Sequence, residues 1–398
     1  MENPNDHELD QQFAEALKNN DAASAAAKVQ EYLEKQDNIP LNIAITGESG
    51  SGKSTFVNAF RGVDNRDERA AAPTGCVETT MEVTAYPHPN YPNVTLWDLP
   101  GIGTTNFPAD KYLKHVGFEK FDFFIIIAAD RFRENDVKLA LEIQKMKKKF
   151  YFVRSKIDDN LRAAKRSQRE FNKEETLELI RQDCVKGLQK LGVESPEVFL
   201  ISSFDLHRYD FQLLEEIMER ELPAHKKNAL LFAIPNISLQ IIKKKKEAFQ
   251  ANIKYYAFMS ALGAAAPIPG LSIAVDLTML ASVVGKYLIG LGLDIKSLQE
   301  LADSTHVPLN DIRAVMTSPF AAGKISKELI IKVMSMSTGG LALMALEEGS
   351  RLVPMFGIPV AMTASGISTY NILKTFLNML AEDAQKVLMK ALGLNTSV

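Results

Sequence analysis

Residues 47–54 can do chemistry, because they read Gly-Glu-Ser-Gly-Ser-Gly-Lys-Ser and match the pattern of a phosphate-binding loop. Glycines let the backbone wrap closely around a ligand, so that its N–H groups point at phosphate oxygens. The Lys53 ammonium can then reach the β- and γ-phosphates, and the Ser54 hydroxyl can bind Mg²⁺. The pattern predicts a nucleotide site that contains Gly47, Glu48, Ser49, Gly50, Ser51, Gly52, Lys53, Ser54 and Thr55.

The segments on either side of the loop suit this role. Residues 41–46 predict a short buried strand, and residues 55–61 predict the first turns of a helix. A strand, a glycine-rich turn and a helix N-terminus together aim backbone N–H groups and a positive dipole end at a phosphate. We therefore expect a nucleotide-binding protein.

A second motif follows a predicted strand at 94–98 and reads Asp98-Leu99-Pro100-Gly101. Its carboxylate can hold a Mg²⁺-bound water, and the Gly101 N–H can contact the γ-phosphate and sense its loss. Many GTPases place a glutamine after this motif to orient the attacking water, whereas this chain has Ile102. We expect slow intrinsic hydrolysis unless another group or molecule supplies the missing function.

A third motif, Ser155-Lys156-Ile157-Asp158, follows the predicted strand 150–154 and is similar to the Asn/Thr-Lys-x-Asp turn that reads guanine. In that turn the carboxylate accepts hydrogen bonds from the guanine N1–H and exocyclic amine, and the lysine stem packs over the ring. Adenine lacks this pair of donors, so Asp158 predicts GTP and GDP as the ligands. The alternatives are a surface Lys and Asp, or an ATPase of the same P-loop lineage. Backbone contact to the base oxygen is expected after the next strand, at Ser202 and Ser203.

Between the first two motifs lies the segment 73–80, Pro-Thr-Gly-Cys-Val-Glu-Thr-Thr, where a GTPase has its first switch. That switch presents a threonine hydroxyl to Mg²⁺ and a carbonyl to the γ-phosphate. Thr74, Thr79 and Thr80 compete for this role, and the sequence does not choose among them. Thr74 is expected in the nucleotide site. The expected ligands of Mg²⁺ are Ser54, Thr80 and Asp98.

Composition and charge exclude several classes of protein. The 398 residues include 46% hydrophobic and 24% charged residues, as is typical of a globular chain long enough for two domains. The formal net charge of −3 gives no electrostatic basis for nucleic-acid binding. Two cysteines are too few for a disulfide framework, and the polar N-terminus has no secretory signal pattern. We therefore expect a cytoplasmic protein that is not secreted.

Hydrophobic patterning predicts two kinds of structure. From residue 41 to about 223, apolar strands alternate with helices, which indicates an α/β domain with a mostly parallel sheet and helices on both faces. Residues 8–35 and 236–398 read as helices. We expect a Ras-like P-loop GTPase domain and an all-α helical domain that is formed by the N-terminal and C-terminal segments. The expected bounds are 1–38, 39–226 and 227–398.

Two long segments without charge, 255–275 and 352–373, approach the length of a membrane span. Both contain prolines and glycines, so two helices of a buried bundle would have the same composition. We favour the buried bundle and keep membrane contact as the alternative. The run of four lysines at 243–246 predicts a solvated helix face, with attraction to anionic lipid as its alternative.

Residues 97–107, Trp-Asp-Leu-Pro-Gly-Ile-Gly-Thr-Thr-Asn-Phe, resemble a segment of the immunity-related GTPases, the interferon-inducible p47 type. The resemblance runs nearly continuously from residue 41 to about 227. Gly52 before Lys53 is typical of the effector branch, since the regulators of the family carry Met there. Further matching segments are 71–75, 86–89, 112–113, 151–154 and 222–226.

The resemblance implies a dynamin-like mechanism in cell-autonomous innate immunity. GTP-bound molecules would dimerise through their nucleotide faces, activate hydrolysis, and assemble on membranes around intracellular pathogens. Glu78 would act near the ribose and γ-phosphate. Its partners in the catalytic set would be Lys53, Ser54 and Gly101. By motif position the dimer interface would contain Glu48, Thr74, Glu78, Thr80, Arg131, Arg133 and Asp136.

One departure from the family pattern keeps alternatives open at this interface. Arg133-Glu134 replaces the family's usual Lys-Lys or Lys-Glu, so the charge pattern is only partly kept. Arg131 and Arg133 would then be ordinary solvated surface. The protein would also fit a slow GTP-dependent switch that recruits a partner without activating its own hydrolysis.

Overall fold

A computed structural model describes residues 22–75, 82–100, 116–265, 272–322, 328–331, 333 and 364–394. Several predictions lie outside these residues, namely those for Glu78, Thr79, Thr80, Gly101, Ile102 and most of the apolar segment 352–373. The chain divides into two compact units, one at Ile39–Ile237 and one formed by the segments before and after it. The predicted fold class, an α/β domain with an all-α domain built from both ends of the chain, is confirmed.

The α/β unit is built on a six-stranded sheet with strand order β2-β3-β1-β4-β5-β6. β2 pairs with β3 in antiparallel orientation, and every other pairing is parallel. β4, with sequence Phe-Phe-Ile-Ile-Ile-Ala, is buried along its whole length, as expected for a strand with helices on both faces. The strands are β1 (Leu41–Gly47), β2 (Thr84–Pro87), β3 (Val94–Asp98), β4 (Phe123–Ala128), β5 (Lys149–Arg154) and β6 (Val198–Leu200).

Helices follow most of these strands in the chain. After α1 (Ala22–Asp37), which belongs to the all-α unit, the helices are α2 (Lys53–Phe60), α3 (Glu134–Lys145), α4 (Ile157–Ser167), α5 (Lys173–Lys190), α6 (Phe211–Glu221) and α7 (Ala224–Ala233). The loops after parallel strands meet at the carboxyl edge of the sheet, where ligands bind in open α/β folds. The three predicted motifs follow β1, β3 and β5, so the topology brings them to one edge.

α7 extends the α/β unit beyond the predicted boundary. A boundary at 226/227 falls inside this helix, whose residues Leu230 and Leu231 are buried. α7 packs against β1 and β3, and Lys226 forms an ion pair of 2.6 Å with Asp122. Because the apolar face of α7 is covered by the sheet, the unit continues to Ile237.

The second unit is helical throughout its described residues. Beside α1 it contains α8 (Leu239–Ala265), α9 (Ser272–Gly290), α10 (Ile295–Thr305), α11 (Leu309–Ala314) and α12 (Ala364–Ala391). α8 and α12 pack so closely that a Cβ at Gly366 would lie 2.9 Å from the Ala257 carbonyl oxygen. The Thr369 hydroxyl donates to the Ser260 hydroxyl at 2.9 Å between the same helices. Small residues therefore let these two backbones approach each other.

The described beginning of the first apolar segment is part of this helical core. A buried cluster joins α1 to α8 and consists of Ala25, Val29, Leu33, Tyr255, Phe258 and Leu262. Over the described stretch 255–262, the packing therefore agrees with a buried bundle. By length and composition, Leu277–Thr305 is apolar enough to cross a membrane, with 44% of its apolar window buried, and the core helix of a soluble protein meets the same criterion.

Candidate functional site

The loop between β1 and α2 adopts a backbone path that requires its glycines. The φ angles of Gly47, Gly50 and Gly52 are 134°, 77° and 93°, values that residues with a side chain rarely adopt. A Cβ at Gly47 would lie 2.0 Å from the Ile127 carbonyl oxygen of β4. The loop therefore lies directly against the neighbouring strand before it turns into α2. The first N–H groups of a helix have no partner within the helix, so this end of α2 suits a phosphate.

Lys53 lies inside the loop that precedes it. The residue is 6% exposed, and its ammonium donates a hydrogen bond of 2.9 Å to the Glu48 carbonyl oxygen. A bound phosphate would offer the ammonium a charged acceptor in place of this neutral one. The geometry thus places a buried cation within the loop that the sequence predicts to bind phosphate.

Ser54 and Asp98, two of the predicted Mg²⁺ ligands, are in contact. The Ser54 hydroxyl donates to a carboxylate oxygen of Asp98 at 2.6 Å. Asp98 is the last residue of β3 and is 1% exposed. A hydroxyl and a carboxylate in contact are hard oxygen ligands, which Mg²⁺ prefers. The residues present therefore fit the Mg²⁺ ion that the motifs imply.

The turn after β5 contacts the phosphate loop directly. The Ser155 hydroxyl lies 2.6 Å from the Ser51 carbonyl oxygen and 3.2 Å from that of Ala128. The Lys156 ammonium donates to the Gly50 carbonyl oxygen at 2.9 Å. Lys156 itself has the left-handed φ angle of 56°. The expected base site and the expected phosphate site are therefore joined through hydrogen bonds.

Asp158 is placed where a guanine-reading carboxylate is expected. It lies in the first turn of α4, and its side chain is 17% exposed. The distance of 3.9 Å to Arg162 is long for an ion pair. Arg162 therefore holds the Asp158 carboxylate only loosely.

The loop after β6 lies next to this turn, since the Ile157 N–H donates to the Ile201 carbonyl oxygen at 3.4 Å. Ser202 is fully buried, and its hydroxyl accepts a hydrogen bond of 3.3 Å from the Phe204 N–H. Ser203 is half-buried. The structure thus brings the two predicted serines close to the guanine turn, with the Ser202 side chain used within its own loop.

Three of the predicted interface residues, Thr74, Arg131 and Arg133, are exposed, and Glu48 is partly buried. Glu48 and Arg133 form an ion pair of 3.1 Å, and their side chains are 24% and 64% exposed. The ion pair links the phosphate loop to the start of α3, so an exposed arginine lies at the edge of the nucleotide site.

Asp136 corrects the predicted interface. Its side chain is 0% exposed, and the carboxylate accepts a hydrogen bond of 3.0 Å from the Arg133 N–H. Burial raises the pKa of the carboxyl to about 6, and the nearby Glu48 carboxylate adds to this effect. Asp136 therefore caps the N-terminus of α3 inside the chain, and in this conformation its side chain does not face a partner.

Arg154 lies behind the guanine turn, and the motif patterns do not reveal it. This last residue of β5 is 5% exposed. Its guanidinium donates to the Ser155 carbonyl oxygen at 2.7 Å and to the Asn160 side-chain oxygen at 2.8 Å. Burial lowers its pKa. The only signal in the sequence is a charged residue that ends an apolar strand directly before the turn.

Known proteins are similar to this chain over nearly its whole length. A family model described as Interferon-inducible GTPase (IIGP) matches residues 7–391. Interferon-inducible GTPase 5 of Bos taurus is 42% identical over 381 residues, which cover 95% of this chain and 81% of that protein. Interferon-gamma-inducible GTPase 10 of Mus musculus is 38% identical, and the match covers 90% of this chain and 83% of that protein.

Solved structures also match part of the chain. A bacterial selenocysteine-specific elongation factor, EF-Sec, gives a TM-score of 0.30 at 14% identity and covers 46% of this chain and 28% of its own. The family assignment rests on the family model and on the sequence relatives, which confirm the resemblance seen in the motifs. The chain belongs to the interferon-inducible GTPase family of immunity-related GTPases, and it is an enzyme that binds and hydrolyses GTP.

Proposed function

We propose that this enzyme binds GTP together with Mg²⁺ and hydrolyses it fastest when two molecules meet through their nucleotide faces. The observation that carries the proposal is the Glu48–Arg133 ion pair, which puts an exposed cation at the edge of the phosphate loop. GTPases use an arginine, supplied from the same molecule or from a partner, to stabilise the charge of the transition state.

Within one molecule the site residues have separate tasks. The Lys53 ammonium exchanges the Glu48 carbonyl for phosphate oxygens, and this adds a charge-assisted hydrogen bond. Ser54 and Asp98 hold Mg²⁺, which when bound neutralises charge on the phosphates. Asp158 accepts hydrogen bonds from the guanine N1–H and exocyclic amine. These tasks explain binding and base choice, and they leave the attacking water without a residue that orients it.

A second molecule supplies what one molecule lacks. Ile102 cannot orient water, so hydrolysis in an isolated molecule is slow. On assembly, Arg133 leaves Glu48 and approaches the partner's nucleotide, while Glu78 acts near the ribose and γ-phosphate. An exposed ion pair contributes only about 0.2–1 kcal/mol, so this exchange has a small cost.

The test is the rate of GTP hydrolysis per molecule, measured over a wide range of protein concentration with ATP in parallel. A rate per molecule that rises with concentration for GTP alone supports activation by self-association. A flat and slow rate contradicts it and favours a switch that recruits a different partner. Comparable turnover of ATP contradicts guanine selection by Asp158.

We also propose that the enzyme is cytoplasmic and attaches peripherally to intracellular membranes in cell-autonomous immunity. Family membership supports this proposal. Leu277–Thr305 contains an apolar window long enough to cross a membrane, a property that the core helix of a soluble protein shares. Flotation with liposomes in the GTP and GDP states tests it. Absence of the protein from the lipid fraction in both states contradicts membrane attachment.

A further inference from the structure

Arg154 is a buried cation that forms no salt bridge among the described residues. Its guanidinium, in a residue that is 5% exposed, donates to two neutral oxygens, the Ser155 carbonyl at 2.7 Å and the Asn160 side chain at 2.8 Å. The Cys184 thiol of α5 forms a further hydrogen bond with it, and the Asp130 and Asp183 carboxylates attract it without forming an ion pair among the described residues. A buried charge that has no direct ion pair costs free energy of folding, so packing alone does not explain an arginine here.

The two acceptors lie at the two ends of the guanine turn. Ser155 begins the turn, and Asn160 lies in α4 just past Asp158. A guanidinium presents several N–H groups in one rigid plane, so it can hold both acceptors at a fixed separation. A lysine or a neutral side chain at this position would not fix two oxygens in the same way.

We propose that Arg154 is a positioning residue that sets the guanine selectivity of this enzyme by bracing the turn that carries Lys156 and Asp158. The inference rests on the guanine-reading role proposed for Asp158. Lys156 has a φ angle of 56°, a conformation that non-glycine residues adopt only when their surroundings hold it. The Asp158 carboxylate must meet two guanine donors at once, and this fails when the carboxylate moves out of their plane.

The same brace reaches the phosphate site. Ser155, whose carbonyl is held by Arg154, donates its hydroxyl to the Ser51 carbonyl oxygen at 2.6 Å. A shift of the turn would therefore change both the discrimination between bases and the affinity of the loop for phosphates. Loss of selectivity is the sharper sign, because general destabilisation lowers the affinity for all nucleotides alike.

Arg154→Met removes the two hydrogen bonds and keeps most of the side-chain volume. We would measure equilibrium affinities for GTP, ITP and ATP by competition against a fluorescent GDP analogue. ITP lacks the exocyclic amine, so the ratio of GTP to ITP affinity reports the pairing with Asp158. We expect the variant to narrow this ratio by about fivefold or more, the effect of losing one well-aligned hydrogen bond.

Arg61 offers a matched control. It is 7% exposed, and it donates to the Ala70 carbonyl oxygen at 3.0 Å and to that of Pro87 at 3.1 Å. Burial lowers its pKa as it does for Arg154. It follows α2 and makes none of these bonds to the guanine turn. Arg61→Met should lower the free energy of unfolding and keep the wild-type ratio of GTP to ITP affinity.

Asn160 provides a second route to the same test in case Arg154→Met does not fold. This residue is only half-buried. Asn160→Leu removes the acceptor and should narrow the ratio, whereas Asn160→Asp keeps an acceptor and should preserve it. The double variant of Arg154→Met and Asn160→Leu should show less than the product of the two single effects, because both remove the same hydrogen bond.

The outcomes separate this inference from the proposed function. An unchanged ratio in Arg154→Met and Asn160→Leu, with reduced stability alone, overturns the positioning role. Asp158→Asn is measured in parallel. If that variant keeps the wild-type base preference, guanine reading by Asp158 is wrong. If it changes the preference while the Arg154 and Asn160 variants do not, only the inference about Arg154 is wrong.

Discussion

The Ser155 hydroxyl donates a hydrogen bond of 2.6 Å to the Ser51 carbonyl oxygen, 104 positions away in the sequence. Both residues are buried, with exposed fractions of 3% and 2%. The guanine turn usually begins with Asn, and here a shorter serine side chain reaches the phosphate loop. The turn predicted to read guanine is therefore hydrogen-bonded to the loop predicted to bind phosphate, and a change in one should alter nucleotide binding by the other.

Ser155→Ala should weaken the binding of both GDP and GTP. The variant leaves the buried Ser51 carbonyl without this donor, at a cost of about 1–3 kcal/mol, so nucleotide dissociation should be about tenfold faster. Stopped-flow release of a fluorescent GDP analogue measures the rate. Ser167→Ala is the control, because that exposed hydroxyl donates to the Ala164 carbonyl at the end of α4. Equal release rates for wild type and Ser155→Ala would show that the hydrogen bond does not couple the two sites.

Lys53→Ala should weaken the binding of GDP and GTP by at least about tenfold. Lys53 is the lysine of the predicted phosphate loop, so its ammonium would donate a charge-assisted hydrogen bond to the phosphates. Removing such a bond costs about 1.5–3 kcal/mol, or roughly tenfold or more in affinity. Fluorescence titration with GDP and GTP checks this. Lys145→Ala, which removes an exposed lysine paired with Glu142 at 2.6 Å, should leave both affinities unchanged. Near-normal affinity in Lys53→Ala would contradict the assignment of the phosphate loop.

Gly47→Ala should destabilise the α/β unit strongly. Its Cβ would lie 2.0 Å from the Ile127 carbonyl oxygen, at a φ angle of 134° that alanine rarely adopts. Overpacking and backbone strain together should lower the free energy of unfolding by about 3 kcal/mol or more.

A glycine-to-alanine substitution in α5 should have the opposite effect on the free energy of unfolding. A Cβ at the helical Gly187 meets nothing within 4 Å. Gly187→Ala should therefore raise the free energy of unfolding by about 0.5–1 kcal/mol, since alanine loses less backbone entropy in a helix. Urea denaturation measures the stability of both variants. A Gly47→Ala protein as stable as wild type would show that the loop does not lie against Ile127.

Asp136 should make the enzyme less stable as the pH rises. Burial raises the pKa of this carboxyl from 3.8 to about 6, so between these values the folded chain keeps a proton that the unfolded chain has lost. The stability that this group contributes is present at low pH and is lost as the pH rises through about 6, by about 3 kcal/mol in total. Asp136→Asn keeps an acceptor for the Arg133 N–H and cannot ionise. The variant should therefore be more stable than wild type above pH 6.

Urea denaturation of both proteins across pH 4 to 7 measures this difference. Asp64→Asn is the control, because the hydrogen bonds from Arg66 lower the pKa of Asp64 to about 2, outside that range. A parallel pH dependence in wild type and Asp136→Asn would mean that this carboxyl does not titrate there.

Arg133→Ala should reduce the rise of hydrolysis rate with protein concentration and leave GTP affinity at low concentration intact. The side chain is 64% exposed, so its removal opens no cavity in the fold. Arg66→Ala is a suitable control, since Arg66 is an exposed arginine that pairs with Asp64. If GTP affinity falls and the concentration dependence stays, Arg133 acts on the nucleotide of its own molecule.

Local sequence patterns predicted most of the α/β unit. The strands at 94–98 and 150–154, the glycine loop and the start of α2 could be derived because each depends on neighbouring residues alone. β2 was missed, since Thr84–Pro87 is a four-residue edge strand that ends in proline and has little apolar signal. The boundary at 226/227 was wrong because the unit to which α7 belongs depends on the strands that cover it, and these are distant in the sequence.

Residue type and spacing are enough to predict which residues would hold phosphate, Mg²⁺ and guanine, because that chemistry depends on local motifs. Only the tertiary structure decided that Ser155 reaches Ser51, that Arg154 is buried behind the turn, and that Asp136 faces inward. These three contacts depend on which loops meet at the edge of the sheet, and parallel pairing of distant strands decides this. A local sequence pattern does not specify that pairing, so the burial and the hydrogen-bond partners of the charged residues follow from the fold.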